Sequence, residues 1–238
     1  SYDEVGNLLE QNTEHSEEKI NYQYNDSNLV TGIIDSKQQL TIFNRDERGN
    51  IIESVLPDGS ITKFFYNRKG QLLKRTNAQG DFTQYYYDPI SGNLRRVLDE
   101  NGHSISYTHD ASGNIISVTD QKGNELFMAY DSLNRVSETV DAIGGITSFN
   151  YTAKGELSSL VDARGNESQF VYNPDGKLIT ITDTLLQSTQ FDYGGAGNLI
   201  SKTTRNGNTL AYTYTESNKL SSVTSNLSDI DRTFTYNP

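Results

Sequence analysis

The chain has no cysteine and no tryptophan, one methionine and four prolines in 238 residues. Without cysteine there is neither a disulfide nor a Cys-ligated metal, although that absence says little about compartment. No hydrophobic run approaches the length of a transmembrane helix, and no stretch has the pattern of a signal peptide. Basic charge is scarce: 20 Lys and Arg stand against 31 Asp and Glu, for a net charge of −11. That balance argues against nucleic acid, whose affinity rests on neutralising phosphates, and against anionic membrane surfaces. Hydrophobic residues make up 34%, little for a globular core, yet 10% aromatics is too much for a disordered chain.

What the chain has in excess is repetition. A landmark aromatic is followed by Asp or Asn, a short polar stretch, Gly-Asn and an aliphatic residue. The landmarks are Tyr2, Tyr24, Tyr66, Tyr87, Tyr130, Tyr151, Tyr172, Tyr193, Tyr214 and Tyr236, and Arg45 and His109 fill the same register. Every interval is 21 or 22 residues, which gives about eleven units. A fixed period of this size marks a quasi-one-dimensional array in which each unit is stabilised by its neighbours. It also lowers the expectation of a compact enzyme.

Each unit reads as two short strands and two turns. In residues 151–171, Tyr151 to Glu156 is polar with a central Gly155, Leu157 to Val161 is a short strand, and Asp162 to Asn166 is a second turn. Ser168 to Tyr172 then alternates, placing Phe170 and Tyr172 on one face. The first turn carries Gly6, Gly49, Gly70, Gly92, Gly113, Gly155, Gly176 and Gly197, with Asn28, Asn134 and Asn218 in the other three units. Gly and Asn are the residues that most readily enter the left-handed region, so positive φ is expected there. The second turn is looser, and Leu186 replaces its Gly in one unit. The Asp or Asn after the landmark suits a side chain bonded to its own turn backbone.

The apolar positions align as well. An aromatic stands two residues before nearly every landmark (Tyr22, Phe43, Phe64 and onward, with Met128 the exception), and an aliphatic follows the first turn, among them Leu8, Leu29, Ile51 and Leu72. Of the 24 aromatics, 20 occupy these two registers, so the default reading of an aromatic here is packing in a ladder. The fold class expected is all-β: tandem β-hairpins of 21–22 residues forming a long curved antiparallel sheet, hollow or spiral because wide flat sheets are not viable. Residues 1–238 read as one array. Both ends fall inside a landmark, so the expectation is an excised piece of a longer protein.

Candidate chemistry is thin. His15, His103 and His109 have neither metal-ligand spacing nor a neighbouring nucleophile, and no catalytic residue, cofactor or metal is expected. Asp35, Asp99, Asp120, Asp141, Asp162 and Asp183 should line one rim, but no unit has the ligand density of a calcium loop, and solvated turn caps are the simpler reading. Phe65 and Tyr86 point away from the ladder by parity and are the candidate ligand surface, for a glycan or a cell-surface contact.

The segments Tyr2-Asp3-Glu4-Val5-Gly6-Asn7-Leu8 and Ser117-Val118-Thr119-Asp120-Gln121-Lys122-Gly123-Asn124 resemble the Rhs or YD repeat, and the resemblance covers essentially the whole chain. It implies a spiral β-sheet shell, as in bacterial Rhs proteins, wall-associated proteins, toxin-complex C components and animal teneurins. The bacterial members enclose a C-terminal toxin. The family's self-cleaving core sequence has no counterpart here. The resemblance therefore implies a structural wall segment, not an enzyme, partnered with the rest of its shell and a C-terminal cargo domain, in a secreted or cell-surface bacterial protein. The alternative expectation is an adhesin or glycan-binding repeat module.

Overall fold

The computed structural model describes residues 1–12, 19–227 and 231–235; the landmark Tyr236 and His15 lie outside them. The chain is all-β, and every described ladder is antiparallel. It divides into two compact units. The first, Ser1–Asn124, holds eleven strands from Glu10–Asn12 to Ile115–Thr119, and the second, Glu125–Pro238, holds eleven from Glu125–Tyr130 to Arg232–Thr233. Within each unit the strands pair in sequence order, as a meander.

Two kinds of strand alternate. The five-residue kind, such as Ile51–Val55 and Leu72–Thr76, follows the first turn. The six-residue kind, such as Ile61–Tyr66, ends on the landmark, and its side chains are by turns exposed and half-buried, the period-2 signature of a strand.

Two kinds of ladder alternate with them. Across the first turn, Phe64 pairs with Arg75, Phe65 with Lys74 and Tyr66 with Leu72, leaving Leu73 as an extra residue. This is a β-bulge, and it recurs at the landmark of each hairpin, at Arg45 and His109 in the first unit as at Tyr151 and Tyr193 in the second. Across the second turn there is no bulge, but pairing stops after three residues: Glu53 with Lys63, Ser54 with Thr62, Val55 with Ile61. Toward the first-turn rim the strands Ile51–Val55 and Ile61–Tyr66 therefore lose their backbone ladder.

One register assignment is corrected by this pairing. Tyr24 pairs with Val30, so Val30, not Leu29, is the aliphatic after the turn. Leu29 takes the place that Asn50 holds elsewhere, donating its N–H to Asn25 Oδ1 at 3.0 Å as Asn50 does to Asp46 Oδ1 at 2.9 Å.

No hydrophobic side chain among the described residues is buried; the side chains that are buried belong to Ser117 and Ser159. Each unit is a single layer with two wetted faces, held by ladders, turns and half-buried aromatics rather than by a core.

The turns are uniform despite their sequences. All eight first-turn glycines, and Asn28, Asn134 and Asn218, have positive φ. So do Leu186 (φ 60°) and Gln38 (φ 62°) in second turns that lack Gly. A left-handed conformation costs a side chain with a Cβ roughly 1–2 kcal/mol, and Leu186 recovers little by packing because it is 84% exposed. The repeat imposes the turn on these residues. Leu186→Gly is accordingly expected to stabilise the second unit by about 0.5–1 kcal/mol, after the larger backbone entropy of glycine is set against the relieved strain. A urea midpoint that falls in this variant would show that the leucine side chain contributes contacts outweighing its strain.

Candidate functional site

Where the backbone ladder stops, side chains take over. The Tyr66 hydroxyl donates to the Ile51 carbonyl at 2.9 Å, at the end where the two neighbouring strands have parted. The same bond joins Tyr24 to Leu8, Tyr87 to Leu72, Tyr151 to Val136, Tyr193 to Leu178 and Tyr214 to Leu199, at 2.7–3.0 Å. The phenol suits this place because its ring packs in the half-buried register while its O–H reaches the opposite strand. Tyr2 is exposed and makes an isolated bridge with Leu8.

The two departures from tyrosine behave differently. Arg45 reproduces the bond: Nε and Nη2 donate to the Val30 carbonyl at 3.0 and 2.8 Å, and Nη1 to Gly49 O at 2.7 Å. Arg45 is a working substitute for the landmark tyrosine. His109 is too short to span the same distance. At this register the molecule has a groove of about 720 Å³ lined by His109, Tyr107, Arg95, Asn93, Asp88 and Asp110.

A second set of bonds runs along the rim. Each first-turn Asp or Asn caps its own loop: Asp46 Oδ1 accepts the N–H groups of Arg48 and Asn50 at 3.0 and 2.9 Å, and Oδ2 accepts Asn50 Nδ2 at 2.9 Å. This explains the coupling of Asp to Gly-Asn. Beside the turn glycine, longer side chains reach the next turn instead: Gln71 Nε2 donates to Gly92 O at 2.8 Å and Lys177 Nζ to Gly197 O at 2.7 Å. Arg48 likewise reaches Arg68 O. Sequence reading had no hold on this link, because Asn, Gln, Lys and Arg interchange there; the shared signal is only a long donor beside the turn glycine.

The other candidates fall as follows. His103 sits beside Asp99, Nδ1 to Oδ2 at 3.0 Å, in an exposed turn with no nucleophile in the pair. Among the described residues no three His, Asp or Glu are grouped so as to hold a metal ion. The rim aspartates are occupied as turn caps, with Asp120 and Asp162 accepting from Asn124 and Asn166. Phe65 and Tyr86 lie on the face opposite the ladder, 51% and 38% exposed, beside successive first turns.

A one-layer meander of hairpins, bonded at one rim by tyrosine hydroxyls and aspartate-capped Gly-Asn turns, defines a tandem hairpin-repeat sheet. The family model described as the teneurin YD-shell matches residues 62–236, and the chain belongs to that family. Among solved structures, TcdB2-TccC3 without its hypervariable C-terminal region aligns over 100% of this chain with a TM-score of 0.77 and 16% identity. TcdB2-TccC3 itself aligns over 97% with a TM-score of 0.53 and 14% identity. At such identities the likeness is one of fold, and this chain spans only 14% and 17% of those two chains. No curated protein matches it.

Two outcomes follow from this geometry. Tyr66→Phe, which keeps the ring and deletes the hydroxyl, should lower stability by about 1 kcal/mol, and H109Y should raise it by a similar amount by restoring the missing bond. Urea denaturation of both variants decides it; an unchanged H109Y would mean that the groove at this register does not admit the phenol.

The second outcome concerns acid. Hydrogen bonds from the Asn50, Asn114, Asn124 and Asn166 side chains, with turn N–H groups behind them, hold the carboxyls of Asp46, Asp110, Asp120 and Asp162 below the usual 3.8. A depressed folded value means that this stabilisation is complete above 3.8 and is lost as pH falls through it toward the lower folded values. Turns built on Asn67 and Asn173 make the same Oδ1 bonds without a titrating group. Hydrogen exchange on lowering the pH below 3.8 should therefore open the Asp turns before the Asn turns, and simultaneous opening would refute a local origin.

Proposed function

We propose that this chain is a stretch of wall in a YD-repeat shell that encloses a C-terminal toxin or other cargo, in a secreted bacterial protein. One observation carries the reading: the described residues form single sheet layers without a single buried hydrophobic side chain, which is the construction of a wall and not of a core-based domain. Family membership and the fold shared with TcdB2-TccC3 support it. The sequence period crosses the boundary between the two units unbroken, from His109 to Tyr130, which supports reading them as successive stretches of one array. The role is that of a non-catalytic scaffold, and containment is its mechanism. A hydrogen-bonded wall leaves few free strand edges and excludes proteases from what lies behind it. Its partners are the remainder of the shell and the cargo.

Limited proteolysis of the full-length parent with intact-mass readout tests this. A C-terminal fragment that resists digestion, and becomes sensitive when the array is truncated, is the expected result. Equal cleavage with and without the array would remove the containment reading.

A further inference from the structure

Charge is not spread evenly along this acidic chain. Residues 61–98 hold seven Lys and Arg against Asp81 and Asp88, a net charge of +5 inside a chain of net −11. None of the seven forms an ion pair with a described residue, since the pairs are Lys19–Glu10, His103–Asp99, Arg135–Asp131 and Arg205–Asp183. The same stretch carries two of the three exposed off-ladder aromatics, Phe65 and Tyr86; the third, Phe127, lies in the second unit and pairs with Val140 rather than with a cation. Phe65 pairs across the bulged ladder with Lys74, and Tyr86 with Arg96, so the four side chains share the face opposite the aromatic ladder. Arg96 lies over the Tyr86 ring at 4.3 Å from its centroid, and Lys74 over Phe82 at 4.6 Å.

Beside each aromatic is a shallow groove that includes the first turn and the bulge residue. The one at Phe65 measures about 370 Å³ and takes in Ile52, with Arg48 and Arg68 against Asp46; the one at Tyr86 measures about 530 Å³ and takes in Leu73, with Arg68 and Lys69 against Asp88. Cations thus outnumber carboxylates in each, and both carboxylates are engaged as turn caps. Ile52 and Leu73 are each 39% exposed. The two grooves are equivalent places on successive hairpins, two strands and so about 10 Å apart across the sheet.

We infer that this strip is a docking surface for an acidic, extended peptide segment of a partner, with aromatic or aliphatic side chains in the two grooves and carboxylates facing Lys74, Arg96, Arg68 and Lys69. Charge complementarity selects an anionic occupant. The pairing of an aliphatic with an aromatic in each groove selects one that also carries apolar side chains, which a polysulfated sugar or a phosphodiester backbone lacks. The net charge of −16 on the rest of the chain further disfavours a long polyanion, whose field extends beyond the strip. Aromatic anchors with basic neighbours are the residue types that carry most binding energy in protein–protein contacts. The surface is independent of whether the shell encloses a cargo, and failure of either reading leaves the other standing.

The test is fluorescence anisotropy on the 238-residue chain with a labelled Glu/Tyr copolymer, labelled poly-Glu of equal length, a labelled sulfated oligosaccharide and a labelled single-stranded oligonucleotide. The copolymer should bind saturably and more tightly than the other three. Phe65→Ser with Tyr86→Ser, and separately Lys74→Glu with Arg96→Glu, should each weaken it at least about tenfold. Lys154→Glu with Lys202→Glu in the second unit matches the charge change and should leave affinity unaltered. Lys69→Glu, at an exposed turn tip, gives an arm that does not disturb a strand and should weaken binding by a smaller factor. Equal loss in the second-unit control, no preference over poly-Glu, or tighter binding of the sugar or the oligonucleotide would overturn the proposal.

Discussion

The bond from a landmark tyrosine hydroxyl to a backbone carbonyl on the neighbouring strand is the interaction on which this sheet depends. Successive hairpins share only three backbone pairs near the second turn, and past that point the strands separate. An unpaired strand end exposes amide groups and leaves register weakly specified. The tyrosine closes that end with one ring and one hydrogen bond, Tyr66 to Ile51 being representative. Tyr66 shares the ladder face with Phe64 by the period of its own strand, and the bulge, by inserting Leu73 into the opposite strand, sets Leu72 across from Tyr66 where the chain leaves its turn. Aspartate caps then fix the turn, and donors such as Gln71 tie it to the next one. Net contributions of about 1 kcal/mol each are modest singly, but a nearest-neighbour array accumulates them along its length.

This arrangement explains how the described residues do without a core. A sheet covered on neither face cannot rely on buried apolar area, and the most buried side chains here are serines. Half-buried aromatics two residues apart supply packing, while directional bonds at the rim supply register. The cost of the design appears where sequence and geometry disagree. Leu186 and Gln38 are held at positive φ because neighbouring ladders leave the second turn no other path.

Much of the fold was legible in the sequence because its determinants are local and repeated. The Gly/Asn alternation announced a left-handed residue, and parity of Phe64 and Tyr66 announced a shared face. The misplacement of Leu29 for Val30 arose because an aliphatic there occupies the slot that Asn fills elsewhere, so composition misled where the spacing from Asn28 did not. What sequence could not supply was any feature made by two residues far apart in number. The tyrosine-to-carbonyl bond spans 15 or 16 residues and one of its partners is backbone, which has no letter in the sequence. For the same reason the sequence places Arg45 in the landmark register without showing that its guanidinium replaces the phenol on the Val30 carbonyl.

A repeat of this kind separates its positions into two classes with different freedoms. Landmark, turn and ladder positions answer to the frame, and a residue there is explained by the frame before any ligand need be invoked. The position before the landmark and its cross-strand partner answer to nothing in the frame: they hold Asn44 with Glu53, Phe65 with Lys74, Tyr86 with Arg96, Thr108 with Ser117, and Asn150 with Ser159. Where such a pair is polar and small, it bonds to itself, as Thr108 does with Ser117 at 2.7 Å and Asn150 with Ser159 at 3.0 Å. Where it is an exposed aromatic with a cation that stacks on a ring but has no ion-pair partner, twice in succession and inside a basic segment of an acidic chain, the frame offers no reason for it. Those are the positions at which one wall segment can differ from another while every hydrogen bond of the wall stays in place, and they are where recognition would be written.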